Sequence, residues 1–475
     1  MQQFSRCLCG LFAALLIALA CGAWTHGRNT SNPVFAWYEP PFGIYGTTVA
    51  AYTHEIQQAQ AAGIDGFALD MFCWIPGDTC TTNGLDYRTL AANMFQAAQN
   101  LNTNFKLFFV EDCAEVGGCA ASGGGMLTAF GDHPNYYHIQ GKPVISAFNE
   151  SLNTASGSAD NIFFTSWLNG ITTAGFAPYF IPFFSLGSFV ANDPTTTAAN
   201  YAAGYAPWVA GMVQGLAAFG GFIPTLYAQN NAGYQTVANN NSIGSIASVG
   251  SWFGILRLLA AGQQSEFLEF NGGEGLASIW ASIMASPPTI VMVESWNDYT
   301  ESYMNPPLAS DFTNTSVPAN DSWNITFDYL NTGSHGAYTE LNKYYISWYK
   351  HGTPPSWPDA LYVFYRNGAQ SIVPSVTTAT MLWNPQGNAT LDDIYVTTIC
   401  KTACTLEVNT GGNITDTPVA AGVVHTRIAF TSGATQTFKI IRNAATLISL
   451  TGTTIVTAET NFYNVNPNTY NGYSP

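Results

Sequence analysis

Trp296-Asn297-Asp298-Tyr299-Thr300-Glu301-Ser302 follows the apolar, strand-like run 289–293, and the reading of the whole chain turns on that junction. A strand whose exit carries two carboxylates three residues apart is what a barrel enzyme presents, because its reacting groups collect at the C-terminal ends of parallel strands. Only 9% of the residues are charged, so an Asp and a Glu among Trp, Asn and Tyr stand out from an ordinary solvated surface. Rings stack on the apolar faces of pyranoses, amides bind hydroxyls, and two carboxyls divide the acid and base roles of glycoside cleavage. The same residues also fit a plain loop with an N-capping Asp and a Glu at a helix dipole.

The rest of the chain supports the barrel. Between 33 and about 300, short apolar runs alternate with longer helical patterns, and the strand candidates are 34–38, 66–72, 106–110, 143–148, 179–184, 222–228, 266–270 and 289–293. In 47–62, Val49, Tyr52, Ile56 and Ala59 recur at helical spacing and the pattern stops at Gly63, a C-terminal cap signal; 87–101, 198–218, 275–285 and 337–350 read similarly. Strands alternating with helices predict parallel pairing, and eight such units predict a closed (β/α)8 TIM barrel. Beyond Pro374 the composition shifts to Thr, Val, Asn and Gly in short alternating runs (394–398, 424–430, 437–441), which predicts a small C-terminal antiparallel β-domain. The expected division is a signal peptide at 1–23, a catalytic barrel at 33–370 and a C-terminal β-domain at 371–475, with 354–358 marking the exit from the last barrel helix. No P-loop and no dinucleotide fingerprint follows a strand, and Gly123-Gly124-Gly125 is a lone glycine run.

With 29 acidic against 13 basic residues, a net charge of −16 and no basic block, the chain is not built for nucleic acid or an anionic membrane; a neutral polymer is compatible. Arg6, the apolar stretch 11–20 and the small residues Ala18, Ala20 and Ala23 read as a secretory signal, too short for a transmembrane span. Ala18-Leu19-Ala20-Cys21 loosely resembles a lipoprotein cleavage box, but Ala holds its first position where Leu is usual, so simple secretion is the preferred reading. Outside the signal, the cysteines come as close neighbours: Cys73 and Cys80, Cys113 and Cys119, Cys400 and Cys404. In a secreted chain this predicts three local disulfides. Metal ligation is the weaker alternative, because the pairs lie far apart and the 7 His show no ligand spacing near them. No cofactor or metal is expected, and the chain is expected to be monomeric.

The predicted strand ends collect acids and aromatics: Trp37 and Glu39, Asp70 and Trp74, Glu111 and Asp112, Asn149 and Glu150, then Glu294, Trp296, Asn297, Asp298 and Glu301. Each has a plainer reading as well. Asp70 or Asp112 could cap the following loop, and Trp37 and Trp74 could be core aromatics. The pairs Cys73/Cys80 and Cys113/Cys119 fall just after the second and third strands, where they would stiffen the cleft wall.

These pieces, taken in order, resemble glycoside hydrolase family 71, the secreted α-1,3-glucanases also called mutanases. Val34-Phe35-Ala36 resembles the family's opening strand, and Ala62-Gly63-Ile64-Asp65-Gly66-Phe67-Ala68-Leu69 its second-strand signature. Phe105-Lys106-Leu107-Phe108-Phe109 with Asp112 resembles the third, and Gly141-Lys142-Pro143-Val144 the fourth. The most specific piece is Trp296 to Ser302, with Thr300 where the family usually has Gly. Tyr344-Tyr345-Ile346, Tyr349-Lys350 and Tyr365-Arg366 are similar to its last helix and the tail beyond. The resemblance implies a (β/α)8 barrel with an accessory β-sandwich that hydrolyses α-1,3-glucan with inversion, Asp298 and Glu301 being the acid and base. We assign Glu301 as acid and Asp298 as base, although the pattern leaves the reverse open. Trp37, Glu39, Asp70, Trp74, Glu111, Asp112, Asn149, Trp296, Asn297 and Tyr299 are the expected substrate-binding residues, and a polysaccharide is the expected partner.

The chain departs from the family at Trp37 (His is usual), at Glu111 (Phe), at Asn149 (Glu) and at Met304-Asn305-Pro306 (Ile-Gly-Pro). Another α-glucan linkage therefore stays open. So does a retaining mechanism with Asp70 or Asp112 as nucleophile. A non-catalytic glycan-binding or adhesion protein on the same barrel is the rival from another class, disfavoured because a binder needs rings and amides more than a spaced carboxyl pair. The cysteine spacing yields a direct expectation: mass spectrometry of a non-reduced digest will link Cys73 to Cys80, Cys113 to Cys119 and Cys400 to Cys404, and free thiols there would contradict an oxidising compartment.

Overall fold

A computed structural model describes residues 32–72, 74, 81–82, 85–112, 122–148, 158–183, 215–217, 224–255, 264–298, 303–304, 335–366, 368–369, 380–383, 392–455, 457 and 467–474. Its largest sheet is built from β1 (Val34–Tyr38), β2 (Gly66–Met71), β3 (Lys106–Asp112), β4 (Lys142–Phe148), β5 (Tyr179–Phe180), β6 (Gly215–Ala217), β7 (Gly244–Val249) and a strand at Ile290–Val293. All of these pair in parallel, in the spatial order β5-β4-β3-β2-β1, then Ile290–Val293, then β7 and β6; only the short His138–Ile139 runs antiparallel, against β4. The first strand thus lies beside the last one, with register Phe35↔Met292 and Ala36↔Val293.

Helices α1 (Val49–Ala61), α2 (Tyr87–Leu101), α3 (Ser122–Phe130), α4 (Ser158–Thr173) and α5 (Pro224–Asn241) alternate with these strands. The start of α1 is set by Thr48, whose hydroxyl accepts from the Ala51 amide at 3.2 Å, and its end by Gly63 in the left-handed region at φ 88°. The strands are buried on both faces, as β1 and β2 are along their whole length, so they read as continuous apolar runs rather than alternating ones.

Three expected elements differ. The apolar run 222–228 is not a strand: Pro224 begins helix α5, where a missing N–H costs nothing at the first turn. The strand of that unit is β6, inside the stretch 198–218 expected as helix; residues 198–214 of it lie outside the described ones. The segment expected at 266–270 forms β9 (Gln264–Glu269), which pairs antiparallel with β8 (Trp252–Ile255) and parallel with Thr380–Trp383, outside the large sheet. Gln264, Glu266 and Glu269 are a poor sequence for a strand covered on both faces. The seventh parallel strand is β7 instead. Helix α6 (Gly272–Ala285) follows β9, the last parallel strand is β10 (Ile290–Val293), and α7 (Gly336–His351) comes near the expected 337–350.

Strand β11 (Asn297–Asp298) and β12 (Tyr303–Met304) form a small antiparallel pair after β10. Beyond α7 the elements among the described residues are all strands. Ala360–Arg366 lies N-terminal to the division expected at 370/371 and hydrogen-bonds in a four-stranded antiparallel sheet with Gly422–Ala429, Asp393–Cys400 and Pro467–Tyr473. A second four-stranded sheet holds Asn413–Val419, Cys404–Thr410, Thr435–Arg442 and Ala445–Thr454. The period-two alternation of Ala360–Arg366 divides it between two cores. Tyr362 and Phe364 join the large core of the parallel sheet, while Leu361, Val363 and Tyr365 join Leu406, Val408, Phe438 and Ile440 of the second sheet.

Cys400 and Cys404 form a disulfide with Cα atoms 6.6 Å apart. Asp359 clamps that turn: it accepts from the Lys401 amide at 2.7 Å and from both terminal nitrogens of Arg442 at 2.9 and 2.6 Å, and the guanidinium holds its carboxyl below the usual range. Cys73, Cys80, Cys113 and Cys119 lie outside the described residues. Among the described residues no helix is long and apolar enough to cross a membrane.

Candidate active site

The two faces of the parallel sheet carry different chemistry. Successive side chains of a strand point to opposite sides. On the helix-facing side, the Tyr38 hydroxyl donates to Glu55 of α1 at 2.9 Å, and Glu111 of β3 accepts from the Trp167 indole of α4. On the other side, the Trp37 indole donates to Asp70 Oδ2 at 3.0 Å across the β1/β2 pair, with the Phe183 ring edge-on to Trp37 at 5.4 Å. Asp70 is 4% exposed.

The exit of β10 is tied to β1 through main chain and one amide. Trp296 N donates to Trp37 O at 2.7 Å; Asn297 accepts from the Glu39 amide and donates to the Glu39 carbonyl, both at 2.8 Å. The Asp298 amide then donates to Ser295 Oγ at 2.8 Å. Asp298, 7% exposed, is thereby fixed at the end of the strand beside Trp37 and Glu39. The register Asn297↔Met304 and Asp298↔Tyr303 closes the small antiparallel pair. Tyr299 and Glu301, between its strands, lie outside the described residues, as do Asn149 and Glu150.

The structure therefore joins Trp37 to Asp70 and ties the segment that leads into Asp298 to the main chain of Trp37 and Glu39, and it sets others of the expected group apart. Trp296 is fully buried and packs on Phe67 at 5.6 Å, and Asn297 is spent on the Glu39 main chain. Trp74 packs against Phe109 and Phe130, with the Arg88 guanidinium 5.9 Å from its ring. Glu111 points into the helix layer, whereas Asp112 follows the alternation to the face of Asp70. Glu294, one of the acids at the strand ends, accepts a hydrogen bond from the Tyr227 hydroxyl at 2.7 Å. Glu55 carried no sequence signal, since a Glu in a helix reads as solvated; its burial shows only once α1 docks on β1. Among the described residues no three His, Cys, Asp or Glu side chains gather as metal ligands.

The model of glycosyl hydrolase family 71 matches residues 31–474. This chain is a member of glycosyl hydrolase family 71. It is 27% identical over 435 residues to a glucan endo-1,3-alpha-glucosidase of Schizosaccharomyces pombe, covering 89% of this chain and 90% of that one. It is 30% identical over 191 residues to a mutanase of Penicillium rubens, covering 39% and 40% of the two chains. A third relative, the ascus wall endo-1,3-alpha-glucanase of S. pombe, is 24% identical over 401 residues, covering 81% and 83%. As a family 71 member the protein is a glycoside hydrolase.

Burial also gives this glycoside hydrolase a pH signature. Desolvation pushes the Glu55 carboxyl up to about 8, against the lowering effect of its hydrogen bond from Tyr38; burial does the same to Glu111, helped by the neighbouring Asp112 charge. Both are raised above the ordinary carboxyl value of 4.5, so their contribution to stability is complete below pH 4.5 and is lost as pH climbs to about 8. Calorimetry should show Tm falling across that window. Glu55→Gln, which needs no proton to stay neutral, should remove roughly half of that fall if the two groups contribute alike. An unchanged slope would contradict a neutral Glu55.

Proposed function

We propose that the protein is a secreted hydrolase of α-1,3-glucan, acting by inversion with Asp298 as base and Glu301 as acid. The observation that carries this reading is the fixation of Asp298: a buried residue just past the end of the last parallel strand, its amide held by Ser295 Oγ and the segment before it bonded to the main chain of Trp37 and Glu39. The names of the S. pombe and P. rubens relatives point to the same substrate.

In this mechanism Asp298 takes a proton from a water as the water attacks the anomeric carbon. Glu301 protonates the departing glycosidic oxygen, and the C–O bond breaks as the new one forms on the opposite face. Room for the water requires the two carboxyls to stand roughly 6.5 to 9.5 Å apart. Trp37 supplies a ring for the sugar, and Asp70 and Glu39 accept its hydroxyls. Trp37, where the family usually has His, and the other departures leave a different α-glucan linkage as the second reading.

The strand order supports a closed (β/α)8 barrel in which β5 and β6 meet, and the two C-terminal sheets support a β-sandwich beginning at Ala360. Export through a signal at 1–23 agrees with the Cys400–Cys404 disulfide, a bond of oxidising compartments. The test is release of reducing sugar from insoluble α-1,3-glucan alongside a panel of α- and β-glucans. Asp298→Asn and Glu301→Gln should each lower kcat at least ~10²-fold while folding and glucan binding persist. Turnover near that of the wild type in either variant would remove that residue from its role, and a wild type that binds glucan without releasing sugar would favour the adhesion reading.

A further inference from the structure

We propose that Glu294 is a further substrate-binding residue of this site, accepting a hydrogen bond from a hydroxyl of the sugar being cleaved, and that Tyr227 is the positioning residue that aims it. The inference rests on the glucan-hydrolase reading above and adds a residue to it.

Glu294 is the first residue past β10, four positions before Asp298. The register Phe35↔Met292 and Ala36↔Val293 brings it level with Trp37, and its amide still continues the ladder to Val249 O at 2.9 Å. Alternation then puts its side chain on the face of Met292, Phe35 and Trp37, where Tyr227 reaches it from the first turn of α5. Trp37 in turn is bonded to Asp70 on its other side. Three adjacent strands thus set carboxyl, indole, carboxyl in a row: two hydrogen-bond acceptors flanking a ring, the pattern that suits the hydroxyls and apolar face of a pyranose.

The surroundings of Glu294 are built to hold it in one place. Tyr227, in the first turn of α5 and fully buried, donates its hydroxyl to Glu294 Oε2 at 2.7 Å, and its ring is braced edge-on by Phe270 at 5.4 Å. Gly250, directly after β7, leaves the space that Tyr227 fills: a Cβ there would stand 2.5 Å from the Tyr227 hydroxyl and 2.7 Å from its Cζ. At 3% exposed, Glu294 occupies a position where an apolar side chain would pack at no desolvation cost. A tyrosine and a side-chain-free position devoted to one carboxyl at the reacting end of the barrel fit a group whose orientation matters to the ligand. A hydrogen bond from a sugar hydroxyl to such an acceptor strengthens as positive charge develops on the ring, so it contributes more to the transition state than to the bound substrate.

The experiment compares wild type, Glu294→Gln and Tyr227→Phe on whichever α-glucan of the panel the wild type cleaves, with Tm and the folded fraction measured for each. Glu294→Gln keeps the shape and an acceptor for Tyr227, and should lower kcat about 30-fold with KM within about 3-fold. Tyr227→Phe leaves the carboxyl present but unaimed, and should lower kcat about 5-fold with KM unchanged and Tm within a few degrees. A kcat within 2-fold of wild type in Glu294→Gln overturns the inference while leaving the hydrolase reading intact. A loss in both variants accounted for by a reduced folded fraction also overturns it, because that is the result of a purely structural carboxyl. A wild type that cleaves no glucan overturns the proposed function, and this assignment with it.

Discussion

The site depends on the join between the first and last parallel strands. Asn297 reads the Glu39 peptide in both directions, N–H and C=O, while Trp296 N caps the ladder on Trp37 O. The two Asn297 bonds join residues 258 apart in sequence and are buried, so nothing local competes with them. Each is worth only about 1 kcal/mol net, yet losing the Asn297 amide would strand two buried main-chain groups at about 1–3 kcal/mol apiece. Asp298 inherits its position from this clamp through Ser295, and Glu39 is carried to the same rim by it. The amide that looked like a sugar ligand in the sequence is the fastener of the site.

Burial separates two kinds of carboxyl at this end of the molecule. Glu55 and Glu111 stand behind the strands, in the helix layer, where desolvation keeps them protonated and where they serve Tyr38 and Trp167. Asp70 and Glu294 stand on the opposite face, each with a specific donor, the Trp37 indole and the Tyr227 hydroxyl, while Asp298 is tethered by its own amide, which donates to Ser295 Oγ. The alternation of a strand does the sorting, since Glu111 and Asp112 are neighbours in sequence and point to opposite layers.

This sorting also explains what the sequence did and did not disclose. Strands at 34–38, 66–72, 106–110, 143–148 and 289–293 were legible because strands covered on both faces must be apolar throughout, and the observed bounds fall within a residue or two. Gly244–Val249 escaped because Gly, Ser and Ala give a buried strand almost no hydropathy signal, and its neighbour run at 222–228 drew the assignment although Pro224 marks a helix start. Which strand ends hold acids was readable from order alone. Which face each acid takes was not, because Trp74, Trp296 and Glu111 share the composition of a cleft and differ only in register and in what packs on them. Tyr227 and Gly250 lie far from the carboxylate motif in sequence, and only the docking of α5 on β7 brings them to Glu294.

The central claim is that Asp298 activates a water rather than attacking the sugar. Proton NMR of the products during the first moments of α-1,3-glucan hydrolysis tests it most directly. Inversion requires the β-anomer to appear first, with α-anomer growing in only by mutarotation. Initial accumulation of α-anomer would contradict the account and would instead require a nucleophile about 5 Å from the acid, with Asp70 or Asp112 supplying it.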